Sequence, residues 1–575
     1  RCVGRYGRCV SNEPTPPPAE TFAFDEWARE RFDRWEQSLV LEEAGRRMSD
    51  PSSSQDERAM AAVWGAPAGV ASVPEMETIA EDHSVDPVLR SRVRAVLASS
   101  IVGSDGEKAA VLVQLSLSEA DDASVHIRTR LSLYFAAVDV LVRVGRLEDA
   151  LDVLKRAAAA AKADESAPEW ALVAIDAEQL VIAARTGMDR EQVARMADQI
   201  ARVARQLDDT PSTVDVVLKA SDVLMGLGAV KAAEAHYEAV AEGAADNPAA
   251  RAPRYQALLG MAEARLRLEG PDAAIEAQRE AIAAVEPLGD TPMLGWARRG
   301  LAVQILATDR YSDAADEFAR SADVYDRIGL GIDAAALRLE QSAALIQDDD
   351  APGARAVADA VAAAAEDMEE EKRLALELRV HQVYAQLAVY DGELEVAAEH
   401  WLEVADRATS TGQSPLEAEL NAAQLFAAAG DIDEATAQFG RAELSAADVA
   451  DPAKATARVM RTHAETLRQV GRSDEAAELA RVASNLARAS GDEAQAIYLS
   501  VIAADSLHGA GESEAALQLY RENLRAAEDA EMPSLLGAVH AAHAKLLRDL
   551  GRDDEAAAEE AKAAALGVAP GAPSA

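Results

Sequence analysis

Few groups in this chain have the type and spacing that chemistry requires. His540 and His543 stand three apart in the stretch HAAH, so on a helix both imidazoles share a face and a metal ion is conceivable there. The pattern lacks a glutamate after His540 to act as general base, and the neighbouring sequence offers no third ligand. The positions suit ordinary packing better. Three cations, Arg458, Arg461 and Arg468, are spaced by three and seven, which also places them on one helical face. Guanidinium forks hold carboxylate or phosphate bidentately, although pairing with acids of adjacent elements is the competing use. The segment GLGAVK at Gly226–Lys231 has glycines before a lysine, but not the remaining glycines, the hydroxyl residue or the preceding strand of a phosphate loop. Cys2 and Cys9 are the only cysteines, so from Val10 onward there is no thiol nucleophile, disulfide framework or structural zinc site. No hydrolase, zinc-protease or kinase motif occurs. The chain reads as non-catalytic, with no cofactor and no bound metal.

The elements that would position these residues follow from a repeat. A breaker, a few polar residues and then an alanine recur as GRLEDA at Gly145, GAVKAA at Gly228, GELEVA at Gly392 and GDIDEA at Gly430. The same pattern continues as GRSDEA at Gly471, GESEAA at Gly511 and GRDDEA at Gly551. The closing alanines are Ala150, Ala233, Ala397, Ala435, Ala476, Ala516 and Ala556, with weaker copies at Ala109, Ala274, Ala315 and Ala356 and an irregular one near Gly187. The step is close to 41 residues, which makes twelve units between about residues 85 and 566. Apolar residues recur at helical spacing on both sides of each breaker, as at Leu147, Leu151 and Leu154. Each unit therefore predicts two antiparallel helices. Glycine in a left-handed conformation closes the first, Ser or Asp caps the second, and acids such as Glu148, Asp149, Asp433 and Glu434 favour its positive end. The recurrent alanine is expected where the two helices approach most closely.

These units resemble tetratricopeptide repeats. Ala385, Ala423, Ala464, Ala504 and Ala544 occupy the small position of the first helix, and Leu154, Tyr237, Trp401, Phe439 and Tyr520 the apolar position of the second. The period of about 41 exceeds that family's 34 by some two helical turns, as in the longer repeats of bacterial signalling regulators and kinesin light chains. The resemblance implies an all-α, right-handed α-solenoid of about twelve hairpins, whose first helices line a concave face that receives peptides. Transferred onto this chain, its groove positions are Arg379, Gln382 and Gln386, then Leu420 and Gln424, then Arg458, Arg461, Glu465 and Arg468. Asp139, Asp222 and Glu263 are the corresponding acids nearer the N-terminus. The Lys and Asn that clamp a terminal carboxylate in the family are absent from the matching positions. The expected function is a protein- or peptide-binding scaffold whose partner offers an acidic or C-terminal segment. The alternative is the effector-sensing array of a signalling or transcription regulator lacking its own ATPase and DNA-binding parts.

Charge and the chain ends complete the expectations. Of 575 residues, 57 are Lys or Arg and 100 Asp or Glu, for a net charge of −43. So acidic a surface repels phosphate backbones, which argues against nucleic acid as partner. No run of 18 apolar residues is present, so no membrane span is expected, and without an export signal the cytoplasm is the default. Residues 1–9 are basic and read as upstream sequence preceding a start at Val10; removing them takes the charge from −43 to −46. Residues 1–21 are expected to be a disordered segment, 22–60 a capping helix and linker, 61–566 the repeat array and 567–575 a disordered tail. Within 22–60, Phe24, Trp27, Trp35 and Leu39 fall on one helical face, predicting a single helix that covers the open end of the first repeat; SDPSSSQDER at 49–58 reads as linker. The oligomeric state is open.

Overall fold

The structure, a computed structural model, describes residues 20–568 apart from 35, 67–68, 123, 208–209 and 246–249. Cys2, Cys9, the basic start, most of the proline-rich segment, Trp35 and nearly all of the C-terminal tail thus lie outside the described residues. What is described is all-α, with 28 α-helices and no strand. None of these helices is long and apolar enough to cross a membrane.

The chain divides into two compact units, Arg1–Arg310 and Tyr311–Ala575. The first holds α1 (Thr21–Asp33), α2 (Gln37–Ser49), α3 (Gln55–Gly65), α4 (Val73–Glu81), α5 (Pro87–Ile101), α6 (Gly106–Asp121), α7 (Ile127–Arg143) and α8 (Leu147–Ala163). It continues with α9 (Trp170–Arg185), α10 (Arg190–Ala204), α11 (Pro211–Gly226), α12 (Val230–Gly243), α13 (Arg251–Glu269), α14 (Pro271–Val285) and α15 (Pro292–Leu306). The second holds α16 (Tyr311–Arg327), α17 (Gly331–Gln347), α18 (Ala351–Ala365), α19 (Glu370–Tyr390), α20 (Leu394–Ser410), α21 (Leu416–Ala429) and α22 (Ile432–Ser445). It ends with α23 (Pro452–Gln469), α24 (Ser473–Ala489), α25 (Glu493–Gly509), α26 (Ser513–Asp529), α27 (Pro533–Asp549) and α28 (Asp553–Ala565).

Within each unit, consecutive helices pair as hairpins, and each second helix also packs on the next first helix. First helices lie side by side: α3, α5, α7, α9, α11 and α13 in one unit; α17 with α19, and α21, α23, α25 and α27, in the other. The recurrent alanine is the fourth residue of the second helix. Ala109, Ala150, Ala233, Ala274, Ala397, Ala435, Ala476, Ala516 and Ala556 all hold this place and are buried. Val193 fills it in the irregular copy on α10. Counting a uniform 41 fails at two positions. The structural equivalents in α16 and α18 are Ala314 and Ala354, both fully buried, whereas Ala315 is one residue further along and Ala356 is exposed. The register belongs to the start of each helix, so a change of a residue or two in the preceding turn moves the alanine with it.

Two other expectations are corrected locally. An aspartate caps the second helix in some units only. Asp105, Asp189, Asp350 and Asp431 accept from the first turns of α6, α10, α18 and α22, whereas α8, α12, α20, α24, α26 and α28 have no side-chain cap. In GRSDEA the residue before the helix is Arg472, which offers no side-chain cap, and Ser473 is already helical. Arg472 instead forms a fork with Glu475 at 2.6 and 2.6 Å, as Arg552 does with Glu555. The acids of the first turn are thus tied by the preceding arginine. The linker at 49–58 is also shorter than expected, because Ser54 and Glu57 form a capping box that starts α3 at Gln55.

The aromatic N-terminal segment forms two helices rather than one. Phe24 and Trp27 are buried within the first unit's core, together with Val40, Met60 and Leu89. While α2 packs on α3, α1 touches both α3 and α11. A 13-residue helix is about 20 Å long, yet it meets first helices four hairpins apart. It therefore lies along the inner face of this unit rather than over its open end. Asp25 accepts from Trp64 Nε1 of α3 at 2.9 Å and pairs with Arg92 of α5 at 2.8 Å, and Arg29 donates to Thr129 Oγ1 of α7 at 2.7 Å.

Candidate binding surface

The predicted groove residues of the second unit lie on first helices α19, α21 and α23. Pairing with acids of the neighbouring hairpin occupies some of the cations. Arg379 approaches Glu340 of α17 at 3.8 Å, and Arg458 forms a close pair with Glu417 of α21. Lys219 of α11 does the same with Glu178 of α9 at 2.6 Å in the first unit. These pairs join positions 39 to 41 residues apart, so they form a ladder between equivalent sites on successive first helices. Arg461 and Arg468 have no ion pair among the described residues. Arg461 Nε is buried without a hydrogen-bond partner, while its guanidinium carbon stands 6.0 Å from the centre of the Tyr498 ring. Arg468 is exposed about two turns further on.

A small polar pocket lies on the neighbouring face of the same helix, α23; Arg461, Arg468 and Tyr498 are not part of its lining. Tyr498 of α25 donates a long 3.5 Å hydrogen bond to Glu465 Oε1. Burial, and then the Glu465 and Arg461 charges with opposite signs, leave the phenol raised from its ordinary value. Glu465, Thr462 and Thr466 of α23 face Gln424 and Ala428 of α21 across a cavity of about 170 Å³. Gln382 is half-buried and Gln386 exposed on α19; neither lines this pocket, and nor does Arg379. Leu420 is not a contact position at all. It is buried in a core cluster with Phe439 and Val459, because the face of α21 that carries it turns toward α22. Of the N-terminal acids, Asp139 lies 3.8 Å from Arg143, and Glu263 pairs with Arg267 at 2.5 Å. Asp222 accepts from the Tyr237 hydroxyl, and burial raises its carboxyl pKa.

That last contact is a device the spacing did not reveal. Tyr237 of α12 bonds back to Asp222 of α11, and Tyr520 of α26 to Asp505 of α25, each fifteen residues earlier. Burial and the facing carboxylate both push these phenols above their ordinary range. The tyrosines fill the apolar position of the second helix, and their hydroxyls reach the far edge of the first.

The histidines pack. His540 and His543 are both buried; His543 stacks on Tyr520 with ring centres 5.4 Å apart. The second helix brings in a carboxylate that sequence proximity hid. Glu559 Oε2 lies 2.5 Å from His540 Nδ1 and 3.5 Å from His543 Nδ1. The shorter distance is a direct hydrogen bond, not two ligands held apart by an ion. Among the described residues no group of His, Cys, Asp or Glu is arranged to hold a metal. A second pair, unforeseen because nineteen residues separate it, joins His381 Nδ1 to His400 Nδ1 at 3.1 Å. Burial, with help from the Arg407 and His400 charges, pushes His381 down to about 4. Gly226–Lys231 spans the end of α11, a turn and the start of α12, as its place in the repeat requires.

No protein-family model matches the chain, and comparison with curated proteins gives no match. Solved structures similar to parts of it include BtubC from P. vanneervenii, at 16% identity and a TM-score of 0.32 over 42% of this chain and 92% of that one. The apo quorum sensor NprR from B. thuringiensis is 10% identical, with a TM-score of 0.35 over 61% and 97%. Aspartyl phosphate phosphatase F from Bacillus subtilis is 12% identical, with a TM-score of 0.32 over 69% and 96%.

Proposed function

We propose that the chain is a non-catalytic, tetratricopeptide-like adaptor that binds an acidic protein segment on the first-helix face of α21, α23 and α25. The observation that carries this is Arg461. In a chain of net charge −43 it keeps a buried, unbonded Nε beside an aromatic ring and outside the ion-pair ladder. A buried donor without an acceptor costs about 1–3 kcal/mol, and a ligand carboxylate at this place removes that cost. Gln424, Thr462 and Thr466 supply neutral donors and acceptors along the adjoining pocket, which suits a peptide backbone. Arg468 adds a second, exposed charge that steers an acidic segment inward.

Fluorescence anisotropy with a library of acidic peptides, each made with a free and an amidated C-terminus, tests the reading. Arg461→Glu with Arg468→Glu is expected to abolish binding, and Arg458→Ala, whose arginine already serves Glu417, to leave it within about twofold. Equal affinity in the double variant and the wild type overturns the proposal. The amidated series reports whether the terminal carboxylate is itself recognised.

A further inference from the structure

The N-terminal helices do not close completely on the unit they cover. Between α2 and the end of α1 on one side and α3, α5 and α7 on the other lies a chamber of about 470 Å³. Its walls are mostly apolar, with Val40 of α2, Val63 of α3, Ala95 of α5, and Leu133 and Ala136 of α7 among them. Val40, Ala95 and Leu133 are 2%, 3% and 1% exposed, so these walls belong to the interior. Phe32 and Ser132 are the exposed members of the lining and mark its mouth, where the Phe32 and Trp64 rings stand 6.0 Å apart.

The charge of this lining is settled within the protein. Arg92 is the one ionisable residue in it; it is buried, pairs with Asp25 at 2.8 Å and holds its guanidinium carbon 6.0 Å from the centre of the Trp64 ring. Trp64 Nε1 likewise donates to Asp25, at 2.9 Å. A charged guest would give up its hydration and meet no opposite charge free to replace it. Two other polar side chains reach the chamber, Gln37 and Ser132. Ser132 Oγ donates to the Thr129 carbonyl at 2.8 Å and is left to accept, while an amide such as that of Gln37 both donates and accepts. Size argues against a peptide helix. One about 10 Å across takes up roughly 420 Å³ in each turn, so the chamber holds little more than a single turn. Small-molecule sites commonly have a volume of about 300–1,000 Å³, apolar walls and a few polar groups to orient the guest.

We propose that this chamber binds a neutral, mainly apolar small molecule carrying one hydroxyl or carbonyl group, with its body against Val40, Leu133 and Ala136 and its polar end at Gln37 and Ser132. Phe32, Gln37, Val40 and Leu41 of α1 and α2 form one wall of the chamber, so the guest also fastens the N-terminal helices to the inner face of their unit. This site is independent of the peptide surface around Arg461.

The probes are 1-hexanol, 1-heptanol and 1-octanol, titrated calorimetrically into the full chain. Each added methylene is expected to tighten binding about fourfold. Octanoate and octylammonium, charged molecules of matching length, should each bind at least about tenfold more weakly than 1-octanol; equal affinity for either overturns the choice of a neutral guest. Gln37→Leu keeps the wall apolar and should weaken 1-octanol about fivefold, whereas Ala136→Phe fills the chamber and should remove the gain per methylene. Far-UV circular dichroism verifies that both variants fold. Hydrogen exchange gives a readout that needs no variant: amides of α1 and α2 should slow when 1-octanol is present. Analytical ultracentrifugation tests the other occupant, since a dimer that Ala136→Phe makes monomeric would mean that a second copy fills the chamber, against the proposal. The proposal also falls if 1-octanol at about 1 mM gives neither heat nor protection, or if Ala136→Phe binds it as the wild type does.

Discussion

At the scale of single residues, small size and burial decide most outcomes. From α6 onward the fourth residue of each second helix is a buried alanine, except for Val193 on α10. Ala354→Leu and Ala476→Leu, both at fully buried positions, should each destabilise by about 1–3 kcal/mol through overpacking. Ala356→Leu, on the exposed side of α18, should change stability by less than about 0.5 kcal/mol. Thermal melts of the three variants check the register directly, since counting 41 residues predicts the opposite order for 354 and 356. Histidine supplies the acid response. His463 stacks on Phe439 at 4.4 Å with both ring nitrogens buried and unbonded, and burial lowers its pKa from 6.5 to about 4. Because the folded value lies below the unfolded one, the unfolded chain takes up the proton first as pH falls. Stability is therefore lost from about pH 6.5 down to about pH 4. His463→Phe keeps the stack and carries no proton, so its melting midpoint should decline less steeply across that window.

At the scale of helices and turns, left-handed residues set where one element ends and the next begins. Gly430 closes α21 with φ 96° and ψ 0°, a conformation that costs a side-chain-bearing residue about 1–2 kcal/mol. Among the described residues, three turns adopt it without glycine, at Asp309, Asp349 and Glu531. Glu531→Gly should consequently stabilise the α26–α27 junction, by about 1 kcal/mol, measured as an upward shift in the thermal midpoint. These elements were largely legible in the sequence, because glycine, first-turn acids and an invariant-sized residue are local signals. What escaped has a common physical reason. The break between α1 and α2, the Tyr–Asp bonds, the Glu559 contact and the destination of α1 all depend on which helix comes to lie beside which. The candidate site was read less well than the fold. The face carrying Arg458, Arg461 and Arg468 followed from spacing, but only contacts 41 residues away could show that Glu417 claims one of these arginines and leaves the other two. Leu420 was misassigned for a similar reason, since its helix turns that face to the core.

Over the whole chain, the net charge of −43 becomes a set of local arrangements. Some acids lie in first turns beside an arginine, and others form the rungs between successive first helices. The cations outside these arrangements are therefore informative, and Arg461 and Arg468 of the second unit are two of them. Screening should act there: binding of an acidic peptide near Arg461 should weaken as ionic strength rises, because exposed charge pairs lose most of their attraction beyond a Debye length of about 8 Å at physiological salt. Anisotropy in a salt series measures this. The register described above, in which each alanine is counted from its own helix, has a consequence for how such a chain can change in length. A unit is interchangeable. Excising Gly471–Ala510 joins the end of α23 to the turn that starts α26 and places Glu465 where Tyr520 had met Asp505, so the lost carboxylate is replaced by its neighbour's. The shortened protein should fold with unchanged helicity per residue by circular dichroism, as though one bead had been slipped from a string and the knot retied.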